Sequence, residues 1–316
     1  MDWTDRHCRY FHRQMAGRAL FYTEMVTAQA ILHGPRDRLL DHDAAEHPLA
    51  LQLGGSDPAQ LAEAVRLAAP YGYDEINLNV GCPSDRVKSG CFGAVLMKDP
   101  GLVAECVAAM VAASPVEVTV KCRIGVDDQE PQVVLPDFLA RVRAAGVRRV
   151  AVHARKAWLQ GLSPKENREI PPLDYPLVLA MKRAFPDLHL SVNGGITSLA
   201  QARGFLDQGL DGAMIGRAAY HEPWDILAGA DRAIWGDGGE PPDPWQVVAR
   251  MRPYIERHLL AGGRLHQITR HMLGLFHGRP GARHWRRILS ERANADGAGW
   301  EVLEAALAAM GEARAA

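Results

Sequence analysis

The sequence predicts an α/β fold, a (β/α)8 TIM barrel followed by a small C-terminal helical bundle, and three observations predict it. Short apolar runs of strand type alternate with Ala- and Leu-rich helical stretches, the rhythm of a parallel sheet wrapped by helices. Seven such runs follow one another without a close sequence repeat, which suits a barrel better than a solenoid. A Gly- and Pro-rich segment without apolar residues then separates this part from three amphipathic stripes.

Taken in order, the strands are expected at Leu20–Val26, Leu49–Leu53, Glu75–Val80, Val116–Cys122, Arg149–His153, Leu188–Asn193 and Gly212–Ile215. Between them lie helices such as Pro58–Ala69, where Leu61, Ala62, Val65, Ala68 and Ala69 recur at helical spacing. A barrel needs an eighth strand. The first one is expected to be missing from this chain, since Met1–Asp5 reads as a loop with no strand before it. The stripes Val247/Val248/Met251/Ile255/Leu259, Leu265/Ile268/Met272/Leu275 and Trp300/Leu303/Ala306/Leu307/Met310 predict three helices. The expected domains are therefore a barrel over 1–236, a linker over 237–244 and a helical domain over 245–316.

A chain of 316 residues accommodates a barrel and something smaller, and no run of apolar residues is long enough to span a bilayer. The polar start, Met1–Arg13, has no signal-peptide pattern, so a cytoplasmic protein is expected. Five cysteines without a CxxC pair argue against a disulfide framework and a metal site. The net charge of −1 says nothing about nucleic acid, because a local basic face can bind phosphates whatever the total.

In a barrel the chemistry sits at the C-terminal strand ends, and there this sequence places polar residues that strands disfavour. They are Gln52, then Asn77, Asn79 and Cys82, then Lys121, then His153 with Arg155 and Lys156, then Asn193-Gly194-Gly195, then Gly216-Arg217. Singly, each has an ordinary reading: Gln52 or Asn77 satisfies a loop carbonyl, Lys121 reaches solvent, His153 is a hydrogen-bonded core residue, and the glycines allow tight turns. At six successive strand ends, packing explains them poorly. Gln, Asn, Lys and His offer the donors and acceptors a flat heterocycle such as isoalloxazine needs, and a lysine stabilises negative charge on a reduced flavin. The paired glycine motifs after the last two strands stand where barrels commonly hold a phosphate. Cys82, between Gly81 and Pro83, is exposed by a sharp turn; it has no metal-ligand neighbours, and a neutral thiol is a competent proton donor at cytoplasmic pH, so it suits that role. Cys91 lies on a Gly-flanked loop with no evident task, and Cys8, Cys106 and Cys122 are expected in packing.

The strings DWTDRHCRYFHR, LFYTEMVT, ALQLGGSDP, YDEINLNVGCPSDRV, HARKAWLQGLSPKENREIPPLDY, NGGI and ITRHMLGLF resemble the tRNA-dihydrouridine synthase A (DusA) family over Asp2 to about Arg287. The resemblance implies an FMN enzyme, reduced by NADPH, that converts uridine to 5,6-dihydrouridine in the tRNA D-loop at position 20 or 20a. It implies hydride transfer to uracil C6 and a proton from Cys82 to C5. Gln52, Lys121, His153, Asn193, Gly194, Gly195, Gly216 and Arg217 match the family's flavin contacts, and Asn79 its uracil-site asparagine. The family's first strand ends in an Ala-Pro-Met segment just before the Asp-Trp-Thr-Asp loop, and here Met1 stands at that segment's end.

The target base has to leave the tRNA stack, so RNA contacts are needed elsewhere. Residues 261–287 carry six arginines, four histidines and no acid; Arg283, Arg286 and Arg287 share one helix face opposite Trp285, Ile288 and Leu289. Lys156, Lys165 and Arg168, after the sixth strand, are the second expected tRNA contact. The partner is thus tRNA, with no membrane and no obligate protein partner, and a monomer is expected. Two alternatives remain open: a flavin barrel reducing a free pyrimidine, which should lack the arginine-rich tail, and a tRNA-binding protein that has lost flavin chemistry.

Overall fold

The computed structural model describes residues 3–84, 92–237 and 239–315. The chain divides into two compact units, one of Leu20–Ile196 and Ala200–Ile215, the other of Met1–Ala19, Thr197–Leu199 and Gly216–Ala316. Residues 1–19 and 216–236, expected in the barrel domain, thus cluster with the C-terminal helices.

The first unit is a TIM-barrel-like parallel sheet with surrounding helices. Its strands are β1 Phe21–Tyr22, β2 Val26–Thr27, β3 Leu49–Gly54, β4 Glu75–Val80, β5 Glu117–Arg123, β6 Arg149–His153, β7 His189–Asn193 and β8 Gly212–Met214. All pairings are parallel, in the order β1-β3-β4-β5-β6-β7-β8, with β2 also on β3. Among the described residues no rung joins β8 to β1.

The run expected as one strand, Leu20–Val26, is two, because Thr23 leaves the ladder. Its hydroxyl, not a ladder carbonyl, takes the amide of Gln52 at 3.0 Å. The chain rejoins β3 at Val26, opposite Leu53.

Every residue of β3 and β4 is buried, as parallel strands covered on both faces require. Helices covering the sheet start on aspartates: Asp57 caps Pro58–Ala68 through the Gln60 amide, and Asp99 caps Pro100–Ala113 through the Leu102 amide. In each, proline follows directly, where its missing N–H costs nothing.

The helical unit has its core in Val247, Val248, Met251, Ile255, Leu265, Ile268, Met272, Trp285, Leu289 and Leu303, all buried. Two of the expected helices form in full, Pro244–Leu260 and Glu301–Ala315, but the second stripe yields only Leu265–Thr269. Beyond it the chain runs in turns, and a Cβ on Gly274 would stand 2.0 Å from the His221 carbonyl oxygen, a backbone approach that a regular side-chain-bearing helix does not permit. The opening segment belongs to this core. Asp5 caps the helix Arg6–Arg13 through the Cys8 amide and is held by Arg270 and His271.

Candidate active site

The turn after β4 follows from the alternation of that strand. Ile76, Leu78 and Val80 lie on one face, and Glu75, Asn77 and Asn79 on the other, where they meet Gln52 of β3 and Thr119 of β5. Asn79 Oδ1 accepts the amides of Gly81 (3.0 Å) and Cys82 (2.9 Å), and Asn79 Nδ2 donates to Gln52 Oε1 at 2.8 Å. The strand thereby ends in a turn that its own last polar side chain holds. Removing that side chain would orphan two amides, at about 1–3 kcal/mol each where they are buried. The Cys82 thiol, partly exposed, donates to Ser84 Oγ at 3.4 Å, and its carbonyl accepts from Ala94 N at 2.9 Å.

Lys121 stands beside Asn79 in the β4–β5 register. It makes no hydrogen bond or ion pair with any described residue. Burial at the strand ends, and then the Arg123 guanidinium, lower its pKa from 10.5 to about 8. Arg123, two residues on and on the same face, is 4 % exposed and has no carboxylate partner among the described residues. Its Nε donates to Gly81 O at 2.8 Å, and one Nη donates to the carbonyls of Lys156 and Asn167, both at 3.0 Å. Burial lowers its pKa to about 10, which leaves it charged at neutral pH, and both cations are near enough to interact with the Cys82 thiol.

After β6 the chain forms a loop that Asn167 organises from within. Its amide nitrogen donates to the carbonyls of Trp158, Leu162 and Ser163, while its Oδ1 accepts from Trp158 N. On this loop Lys156 lies over the Trp158 ring at 5.4 Å, Lys165 is exposed and Arg168 is half-buried. At β7, Asn193 Nδ2 donates to Met214 O of β8 at 2.8 Å. Gly194 has φ +102 and Gly195 φ +70. A Cβ on Gly194 would lie 2.5 Å from the His153 ring, and one on Gly195 2.6 Å from Leu173. Only glycine fits there. Tyr175 donates to Gly194 O at 2.6 Å, and the Gly194 and Gly195 amides donate to no described group.

Gln52, Asn79, Cys82, Lys121, His153 and Asn193–Gly195 therefore all stand at C-terminal ends of neighbouring strands in the sheet unit. Gly216 and Arg217 instead open the helix Arg217–His221 of the helical unit. In that unit Arg283, Arg286 and Arg287 lie exposed on the helix Ala282–Arg292, whose Trp285, Ile288 and Leu289 are buried, and none of the three has an acidic partner among the described residues. The other arginines of 261–287 are engaged: Arg264 with Asp296, Arg270 with Asp5, and Arg279 over the Trp224 and Trp245 rings. Cys91 lies outside the described residues, while Cys106 and Cys122 are buried, their thiols pushed by burial to about 12.

Sequence reasoning missed Arg123, Asn167 and Tyr175. The first had a signal, a charged residue two places after Lys121 in a strand of alternating faces. The other two act through backbone groups of loops, and nothing in their spacing marks them.

Comparison with known proteins gives a consistent result. A model of the family "Dihydrouridine synthase (Dus)" matches residues 1–311. The tRNA-dihydrouridine(20/20a) synthase of Escherichia coli K12 is 58% identical over 315 residues, 99% of this chain and 90% of that protein. Those of Shewanella oneidensis and Vibrio cholerae are 58% and 57% identical, over 97% and 98% of this chain and 90% and 94% of theirs. Among solved structures, the old yellow enzyme homologue from Zymomonas mobilis matches with TM-score 0.53 at 13% identity, over 78% of this chain and 89% of that one, a likeness of fold.

An unpaired, desolvated ammonium is costly, and the cost has a definite pH dependence. With a folded pKa below its unfolded value, Lys121 binds fewer protons in the folded state between about 8 and 10.5, so its penalty is complete below 8 and is relieved as pH rises. Lys121→Met should therefore stabilise the ligand-free protein in urea unfolding at pH 7, by an increment that shrinks towards pH 10. An increment constant with pH would contradict this reading.

Proposed function

The chain belongs to the dihydrouridine synthase family, and from that premise we propose that it reduces uridine to 5,6-dihydrouridine in tRNA, at position 20 or 20a of the D-loop, with FMN as cofactor and NADPH as reductant. One observation carries the reading: Cys82 sits on a turn fixed by Asn79, beside the desolvated ammonium of Lys121 and the buried guanidinium of Arg123.

The residues fit the cofactor. Lys121, desolvated and without a partner among the described residues, suits the negative charge of a reduced flavin ring. Gln52 keeps one amide N–H for a ring acceptor, and the amides of Gly194 and Gly195, with no side chain to hold a ligand off, suit a phosphate oxygen. Gly216 and Arg217 retain their phosphate assignment from the family resemblance. FMN, when bound, supplies the hydride that goes to uracil C6.

The chain supplies the rest. Asn79, its carbonyl taken by the turn, has an N–H left for a uracil carbonyl. The Cys82 thiol gives its proton to C5, so the ring gains one hydride and one proton and the C5–C6 double bond is lost. Arg123 and Lys121 stabilise the thiolate left behind. Solvent protons restore the thiol, which is partly exposed.

The tRNA backbone is to be held by Arg283 and Arg286 of the helical unit, and by Lys156, Lys165 and Arg168 of the loop after β6. A tRNA substrate places the work in the cytoplasm, and no described helix is long and apolar enough to cross a membrane.

Two outcomes test this. Cys82→Ala should keep the yellow flavin absorbance of the purified protein and lower dihydrouridine formation, read by mass spectrometry of tRNA, by about a hundredfold or more, the usual loss when a general acid is removed. Normal dihydrouridine levels in that variant would sink the assignment. Replacing Arg283 and Arg286 together by alanine should weaken tRNA binding and flatten the dependence of log Kd on log salt by about one unit per lost phosphate contact. An unchanged slope would remove these arginines from the RNA interface.

A further inference from the structure

Behind Asn79 runs a line of side chains of which the proposed reaction uses only Gln52. Glu75 Oε1, at the opposite end of β4, accepts from the Tyr22 hydroxyl at 2.7 Å and from the Thr119 hydroxyl at 2.6 Å. Thr119 Oγ1 accepts from Asn77 Nδ2 at 2.7 Å, Asn77 Oδ1 accepts from Gln52 Nε2 at 2.9 Å, and Gln52 Oε1 accepts from Asn79 Nδ2. Asn79 Oδ1 then takes the amides of Gly81 and Cys82. All five residues between Glu75 and that turn, counting Glu75 itself, are buried: Glu75 3 %, Thr119 1 %, Asn77 0 %, Gln52 9 % and Asn79 8 % exposed.

We propose that Thr119 is a positioning residue for the reaction, whose hydroxyl sets the amide orientation of Asn77, Gln52 and Asn79 and through them the turn that carries Cys82. The inference rests on the functional reading above.

A primary amide has two ends of nearly equal shape and opposite hydrogen-bonding sense, so packing alone does not choose between them. The chain of bonds chooses. With its one proton given to Glu75, Thr119 has only lone pairs to show Asn77. Asn77 must then turn its NH2 group to Thr119 and its oxygen to Gln52, Gln52 its NH2 group to Asn77 and its oxygen to Asn79, and Asn79 its oxygen to the turn. The backbone amides of Gly81 and Cys82, which only donate, demand the same sense from the other end. Both ends agree, and each link is determined by the one before it. In a buried site a single reversed amide sets oxygen against oxygen, a fault felt along the whole line. The consequence for ligands is equally definite: Gln52 and Asn79 each offer a remaining N–H, the donors the proposed flavin and uracil carbonyls require, and Asn79 Oδ1 has both lone pairs taken.

Thr119→Val keeps the shape and removes the hydroxyl, whereas Thr119→Ser keeps the hydroxyl and removes a methyl. Packing alone favours valine; the hydrogen-bond sense favours serine. In the flavin-loaded protein, reduced by NADPH, the rate at which tRNA reoxidises the flavin should fall about tenfold or more in Thr119→Val, the equivalent of one lost hydrogen bond, and stay within about twofold in Thr119→Ser. Should the valine variant not fold, Thr119→Ala against Thr119→Ser asks the same question with one oxygen between them. Valine or alanine matching serine, while the unmodified protein turns over, overturns the inference alone. A flavin-loaded, unmodified protein that tRNA does not reoxidise overturns the functional reading and this inference with it.

Discussion

The Glu75 carboxylate oxygen that accepts both Tyr22 and Thr119 is the fixed point of the sheet unit, because a group that only accepts leaves its neighbours no choice of direction. Burial raises its pKa, while the hydrogen bonds from Thr119 and Tyr22, with Arg149 at 3.7 Å from its second oxygen, lower it. It stands at the N-terminal end of β4. A barrel interior is ordinarily filled by branched apolar layers, but here one stripe through it is polar on β3, β4 and β5 together. Buried amides cost several kcal/mol each if unpaired and little if fully paired, so the stripe is tolerable only as a complete set. Its last acceptor holds the Cys82 turn.

The second constraint is charge. Lys121 and Arg123 lie on one face of β5 with no carboxylate among the described residues to neutralise them, and they differ in how they are accommodated. Arg123 is answered by three carbonyls, drawn from the Cys82 turn and from the loop after β6, so its charge also ties two segments to the strand. Lys121 is answered by nothing described. Burial lowers both by a similar amount, Lys121 from 10.5 to about 8 and Arg123 from 12.5 to about 10, and because a guanidinium starts higher and spreads its charge over five donors, Arg123 stays fully charged at neutral pH with the wider margin. One cation ties the turn to the strand, and the other meets no partner among the described residues.

Much of this was legible in the chain. Strands covered on both faces read as continuous apolar runs, and polar residues at their ends stand out against that background, so β3 to β8 and the strand-end residues Gln52, Asn79, Cys82, Lys121 and His153 were accessible to inspection. What escaped depends on pairing. The break at Thr23 exists because its hydroxyl meets an amide 29 positions away. The basic count over residues 261–287 overstated the free charge, since Arg264 and Arg270 meet Asp296 and Asp5, the latter 265 positions back. Local composition does not contain such partners. Nor does it contain the sense of an amide: Asn77 reads as an asparagine that satisfies a loop carbonyl, and only its neighbours give it a direction.

That direction bears on what the site accepts. Every side-chain carbonyl in the line is already engaged, Asn79 twice over, and the Gly194 carbonyl is taken by Tyr175. What the strand ends retain is an N–H on Gln52, an N–H on Asn79, the Lys121 ammonium, two glycine amides and, as an acceptor, Asn193 Oδ1. The rim is therefore rich in donors and positive charge and poor in acceptors. A ligand that brings donors of its own would find little to receive them, while one rich in carbonyl oxygens and able to take on negative charge meets a partner at each strand end. Selectivity of this kind comes less from the residues that touch the ligand than from the buried ones that have already consumed their acceptors.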